Sequence, residues 1–383
     1  MNNLTNIKSE TAHNYTFDAI KAVSCLFIIL IHCKFPGKLG DLCEALARFG
    51  VPMFFAIAGY YLVKTGEDSV PEIRANMVRK LKKTLVITLS VWLAYTVYSF
   101  IYAMTVNYGV KAWFTEKFNL FEFSRLILFN SGKFIYDFTY AFDHLWYLFA
   151  LVYVYGLVFI FAPLLKKGAK PISIILFAFL FFGNFLKLYY PIRPFGINIS
   201  VWYVMRNWLF VGVPYTLLGY WIKEDKAALL IQKPPTMGML LLITGLFSTF
   251  AEYRHFGTLE IYFGSHLIVI GLLLFGNAAD INPNYLRRFF KADSDLKQDV
   301  MINKILSCLS FTGDKLSSNI YYFHVMLISL FGWFVDRINP GAYGSVLFMT
   351  IRPLIIITIT ILISFLFYKV KLITFKNGDN LRK

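Results

Sequence analysis

Ten stretches of this 383-residue chain run apolar for about 18 residues or more, and nothing else in the sequence restricts its fold as strongly. They cover 17–34, 45–63, 84–106, 145–165, 170–187, 203–222, 235–252, 258–277, 317–335 and 344–368. At 1.5 Å rise per residue such stretches match the hydrocarbon core of a bilayer. No water is present there to satisfy backbone groups, so each stretch is expected to be a helix. Period-two alternation is missing, which argues against an outer-membrane barrel. The expected fold class is therefore all-α: a polytopic membrane protein with about ten transmembrane helices.

Composition agrees. The chain is 57% hydrophobic and only 16% charged, where a soluble domain is about a quarter charged. Its 19% aromatic content excludes intrinsic disorder. A net charge of +16 would suit nucleic acid only if the basic residues clustered on a polar face. They lie instead in short runs between apolar segments, so no nucleic-acid partner is expected and membrane lipid is. Four cysteines without C-x-x-C spacing give neither a disulfide framework nor a zinc site. Cys33 and Cys43 both fall near the outer face, and whether they pair is a matter of geometry.

Lysine and arginine set the orientation. With the N-terminus inside, the cytoplasmic loops carry more than twice the basic residues of the outer loops, and an even span count returns the C-terminus to the cytoplasm. The expected organisation is a cytoplasmic segment 1–16, one transmembrane domain 17–368 and a basic cytoplasmic tail 369–383. The polar opening has no small-residue cleavage site, so the first apolar segment is expected to remain as a helix. The setting is a multi-pass protein of the cell inner (cytoplasmic) membrane. Residues 107–142, outside, include KFNLFEFSRLILFNSG, whose helical spacing of apolar residues predicts an interfacial helix. Residues 278–316 form the longest inner loop.

Ionisable residues within spans cost roughly 2.5–3.5 kcal/mol at the membrane centre and so point to function. The first helix carries Asp18, Lys21 and His32. Eleven residues make three turns plus about 20°, which puts Lys21 and His32 on one face about 16 Å apart. Asp18 shares that face and can pair with Lys21, although Lys21 also suits a side chain snorkelling to the headgroups. A neutral His32 imidazole can act as a general base. No second ligand stands at metal-binding spacing in the same helix, so no metal is expected. Arg48 opens the second helix. After it come Arg79, Lys80, Lys82 and Lys83, which satisfy the positive-inside rule and would equally clamp a phosphorylated ligand. His144 and Trp146 mark the outer start of the fourth span, and Arg206 lies inside the sixth. Tyr321 and His324 lie at the cytoplasmic end of the ninth, with His324 about 10 Å into the membrane by helical rise.

These segments resemble the acyltransferase-3 family of integral-membrane acyltransferases, over residues from about 15 to 370. The family's D-x-x-R-x10-H first helix is matched by Asp18, Lys21 and His32, with Lys in place of Arg. Its V-P-x-F-F-x-x-S-G-Y pattern is matched by Val51, Pro52, Phe54, Phe55, Gly59 and Tyr60, with Ala58 where the family has Ser. His144–Leu148 match H-L-W-Y/F-L, and Ser317, Ile320, Tyr321 and His324 match S-x-x-I-Y-x-x-H. A basic R-x-x-R pair is loosely matched by Arg79/Lys82 or Lys80/Lys83. Closest in style are stand-alone members similar to surface-polysaccharide O-acetyltransferases.

The resemblance implies O-acylation: an acyl group, usually acetyl, moves from acyl-CoA to a hydroxyl of a cell-surface glycan or lipid-linked sugar. Acyl-CoA enters as donor substrate, and no bound cofactor is implied. Cytosolic CoA phosphates would meet Arg79, Lys80, Lys82 and Lys83, while His32 serves as base or transient acyl carrier. Asp18 and Lys21 would position the donor or hold the helix face, and Arg48 or Arg206 would stabilise an oxyanion or bind an anionic acceptor. His144, Trp146, Tyr321 and His324 join them as substrate-binding residues. A homo-oligomer is compatible with this reading. The rival reading is a transporter or flippase for a sugar, lipid-linked oligosaccharide or small metabolite. A transporter should show an inverted repeat, and none is found.

Overall fold

The computed structural model describes residues 13–64, 69–137, 139, 143–189, 202–224, 234–281 and 296–380. Helices make up most of the described residues, with no strand among them. Most of the expected N-terminal segment, the polar part of the inner loop (282–295) and the last three residues of the tail lie outside them.

Each of the ten apolar stretches coincides with helix, but not all as single spans. Seven are long and apolar enough to cross a membrane: Tyr15–His32, Gly37–Tyr60, Val70–Thr105, Ala162–Leu186, Pro235–Phe256, Lys304–Ile338 and Val346–Ile373. Trp146–Ile160 and Phe263–Ala279 are shorter apolar helices. We label the helices α1 (Tyr15–His32), α2 (Gly37–Ala47), α3 (Gly50–Tyr60), α4 (Val70–Thr105), α5 (Val110–Lys117), α6 (Leu120–Phe129), α7 (Trp146–Ile160), α8 (Leu165–Tyr189), α9 (Trp202–Met205), α10 (Val213–Glu224), α11 (Pro234–Phe256), α12 (Phe263–Ile281), α13 (Leu296–Phe311), α14 (Ser317–Ile338) and α15 (Val346–Asn380).

Three differences from the sequence expectation bear on the site. The second span begins at Gly37 and breaks at Arg48 and Phe49, which places Arg48 at a joint rather than on a helix face. The sixth is broken too: α9 ends at Met205, and a π-helical turn over Trp208–Gly212 leads into α10. The Asn207 side chain holds that break by accepting from the backbone N–H groups of Leu209 (2.9 Å) and Phe210 (3.1 Å). The ninth span starts at Lys304, because α13 passes through a second π-helical turn, Thr312–Leu316, into α14 without interruption. His324 is therefore far along its span and not at its start.

Helices α1 and α3 form the interior, and α4, α8, α11 and α15 present apolar faces outward. On α4 the residues Leu85, Leu89, Leu93, Val97 and Ile101 recur every fourth position and are all exposed. At about 25 cal/mol per Å2 such a face is unfavourable in water and natural against lipid. Inner contacts are close. A Cβ on Gly59 would lie 1.9 Å from the Thr216 carbonyl oxygen, and one on Gly219 would lie 1.9 Å from that of Ala56. Small residues thus let α3 and α10 touch backbone to backbone.

The outer loop folds on itself. Helices α5 and α6 occupy the region expected to be interfacial, with Leu120, Phe121 and Leu128 exposed on α6. Buried Lys117 donates to Asp137 at 2.8 Å, and Ser99 of α4 donates to the same carboxylate at 2.5 Å. Burial pulls the Lys117 ammonium below its ordinary pKa, while the Asp137 charge opposes that shift. All four cysteines are free thiols: Cys33 packs on the α1–α15 contact and does not reach Cys43.

Candidate active site

Helices α1 and α14 run side by side from one fixed contact. At the π-helical turn Gly313 abuts the Asp18 backbone, where a Cβ would fall 1.7 Å from the Asp18 carbonyl oxygen. From there His32 lies fourteen residues along α1 and His324 eleven along α14. By helical rise these are about 21 Å and 16 Å in the same direction. The two histidines accordingly meet, with ring centroids 5.3 Å apart. The sequence expectation had put them toward opposite faces of the membrane, and the early start of the ninth span corrects it.

His144 completes the group. It sits in the short 3-10 turn Asp143–Leu145 leading into α7, with its ring 4.8 Å from His324 and 6.4 Å from His32. Tyr321 donates its hydroxyl to the His144 backbone carbonyl, so α14 fixes where the α7 turn sits. The Nδ1 of His324 faces the carbonyls of Tyr321 (2.9 Å) and Ile320 (3.1 Å). A carbonyl only accepts, so Nδ1 carries the proton and Nε2 is the acceptor nitrogen.

His32 and His144 line a cavity of about 40 Å3 together with Arg48, Trp146, Arg206, Glu260 and Tyr321, among others. That volume holds about three or four waters, at roughly 10–15 Å3 each. Val51 and Pro52 close one wall, and Phe55 packs on Tyr147 (4.6 Å) and Trp146 (6.0 Å). Four separate sequence motifs thus converge on one buried cluster.

Two arginines form the rim. Glu260 accepts from Arg48 at 2.9 Å and from Arg206 at 3.0 Å. Arg48 also pairs with Glu44 at 2.5 Å, and Arg206 donates to the Tyr136 hydroxyl at 3.0 Å while lying over the Trp146 ring. Both guanidinium groups are held by carboxylates, which makes this rim rigid and nearly balanced in charge. Just outside it, Lys34 donates to Asp41, and that bond raises its pKa. Sequence reasoning missed Glu260 and Tyr136. Glu260 falls just inside the expected 258–277 stretch, where its charge was a signal not taken up, and the structure places it in the loop between α11 and α12.

The remaining predicted residues gather elsewhere. Lys21 donates to Asp18 at 2.8 Å, and Asp18 also pairs with His13 at 2.6 Å. His13, Asp18 and Asp314 bring potential ligand atoms within 4.8 Å of one another. Lys21 and Lys315 already balance those two carboxylates. Lys80 donates to the Tyr61 carbonyl at 2.5 Å, near Phe17 of α1. Arg79, Lys82 and Lys83 are exposed beside it. None of these six, Asp18, Lys21, Arg79, Lys80, Lys82 and Lys83, lines the cavity.

This arrangement defines a multi-pass helical membrane protein with a buried cavity walled by histidines and tyrosine from separate helices. The chain matches the acyltransferase domain family model over residues 14–369, nearly its whole length, and so belongs to the acyltransferase-3 family. It is a multi-pass membrane acyltransferase. A comparison with curated proteins finds no match, and neither does one with solved structures.

Proposed function

We propose that this acyltransferase moves an acetyl group from acetyl-CoA to a hydroxyl of a cell-envelope glycan or lipid-linked sugar, with His32 as general base. The observation that carries the reading is the meeting of His32, His144 and His324 in one cluster, with His32 and His144 lining a cavity, in a chain of this family. A sugar hydroxyl is a poor nucleophile until its proton is taken. A neutral imidazole lining the cavity can take it.

The basic residues at the Asp18 end suit the donor. Arg79, Lys82 and Lys83 are exposed, and Lys80 is anchored to the α3 terminus, so the cluster offers charge to phosphates at the end of the bundle expected to face the cytosol. The pantetheine arm would then carry the thioester toward His32, along the roughly 16 Å of α1 that separates Lys21 from it. The rim arginines shape the opening for the acceptor, and Glu260 bridges them. Asp18 and Lys21 pair with each other, which favours their role in holding the α1 face over direct contact with acyl groups.

The test is to reconstitute the protein in vesicles with carbon-14 acetyl-CoA and count label in the glycan or glycolipid fraction against free CoA released. Label in that fraction supports the reading. Uptake of a labelled sugar without CoA release contradicts it. Replacing Arg79, Lys82 and Lys83 together by Gln should raise KM for acetyl-CoA about tenfold or more and leave kcat within a few-fold. That follows if each exposed contact to phosphate contributes about 0.5–1 kcal/mol. An unchanged KM would remove the cluster from donor binding.

A further inference from the structure

We infer that His144 supplies the N–H group that binds the thioester carbonyl and stabilises its oxyanion, while His32 handles the proton. This rests on the acyl-transfer reading above and assigns the carbonyl's place within it.

His144 is 3% exposed, and both of its ring nitrogens, Nδ1 and Nε2, lack a hydrogen-bond partner. Leaving such a group buried and unmet is unfavourable, so the fold keeps it at a cost. Packing, not hydrogen bonding, holds the ring. Tyr95 (5.2 Å), Tyr321 (5.1 Å) and His324 (4.8 Å) meet it mostly edge to face, and the Tyr321 hydroxyl pins its backbone. The ring also lines the cavity. A dipole fixed by its surroundings, desolvated and open only toward a cavity is what electrostatic stabilisation of developing charge requires. Neutral imidazole can play this part, donating one N–H to an oxygen. Burial, and then the two close imidazoles, disfavour a positive charge on this ring.

The geometry divides the labour. His32 and His144 approach the cavity from α1 and from the turn before α7, with centroids 6.4 Å apart. They can therefore address two oxygens of one tetrahedral centre. The acceptor oxygen attacks the thioester carbon and its proton passes to His32. The carbonyl π electrons move onto oxygen, which accepts the His144 N–H. The intermediate then collapses, the C–S bond breaks, and the CoA thiolate takes the proton back from His32. The products are the O-acyl ester and CoA thiol.

The experiment compares wild type with His144→Gln and His144→Phe in nanodiscs, using acetyl-CoA carbon-13 labelled at the carbonyl. Phe keeps the ring packing and loses the donor; Gln keeps a donor and loses the base. The Phe variant should lose about 10^2–10^3-fold in kcat with KM for acetyl-CoA little changed, and Gln should recover at least tenfold of that. Isotope-edited infrared should show the bound carbonyl stretch lowered in wild type and His32→Ala, and restored toward its free frequency in His144→Phe. Should the Phe variant fail to fold, the carbonyl stretch in Gln against His144→Leu decides the matter. Gln as inactive as Phe, or a carbonyl stretch unmoved by either change, overturns the assignment. Wild type without acetyl-CoA turnover overturns the acyl-transfer reading itself, and this inference with it.

Discussion

At the residue scale the cluster depends on a few contacts that can be cut singly. Tyr321 links two motifs, because its hydroxyl reaches the His144 carbonyl from the opposite side of the cluster. Removing that hydroxyl in Tyr321→Phe keeps the ring contacts to Tyr147 and His144. One buried hydrogen bond contributes about 0.5–1.5 kcal/mol to stability, so the melting temperature is expected to fall modestly and kcat, through the loosened His144, about three- to tenfold, with acetyl-CoA KM nearly unchanged. Steady-state kinetics on the purified variant checks this, and wild-type kcat would show that Tyr321 does not position His144. The histidines and arginines of the cluster were legible one by one in the sequence; Glu260 was missed. His32 stood out because its face is shared with Lys21, and His144 because an aromatic belt accounts for Trp146 but not for an imidazole. Their meeting was not legible. It depends on where the ninth span begins, and apolar run length misplaced that by treating Lys304–Leu316 as loop.

At the element scale the interior is built from small residues and broken helices. Gly59 and Gly219 each place a Cβ-free backbone against the partner helix's carbonyls. A Gly219→Val change would force α3 and α10 apart and shift Phe55 and Trp146 at the cavity wall, since Phe55 belongs to α3. Overpacking of this kind costs about 1–3 kcal/mol or more, so the variant should melt several degrees below wild type by fluorescence in detergent. An unaltered melting temperature would contradict the close approach. The two π-helical turns, at Trp208–Gly212 and Thr312–Leu316, flank the parts of the chain that carry Arg206 and His324. Such turns re-aim a helix within one residue of extra backbone and recur near functional sites. Hydropathy is insensitive to them, because they alter hydrogen bonding without altering composition. For the same reason the breaks at Arg48 and Asn207 could not be read from apolar runs that continue through them.

At the scale of the whole molecule, the all-helical membrane fold and its family follow from features spread along the chain: long apolar runs, scattered basic loops and four ordered motifs. Such features survive local errors of boundary, which is why they were readable. Division of the polar residues between two levels of the bundle was less so. Asp18, Lys21 and the Arg79–Lys83 cluster gather near one end, while His32, His144, Arg48, Arg206 and Glu260 gather at the cavity. A donor held at one level and reacting at the other accounts for both groups. The most direct test of that account is CoA release from acetyl-CoA by purified protein in nanodiscs with glycan acceptor, wild type against His32→Ala. The account predicts turnover in wild type and at least a 10^2-fold loss in the variant, within the range a general base contributes, with acetyl-CoA still bound. Equal turnover in the two proteins would contradict it.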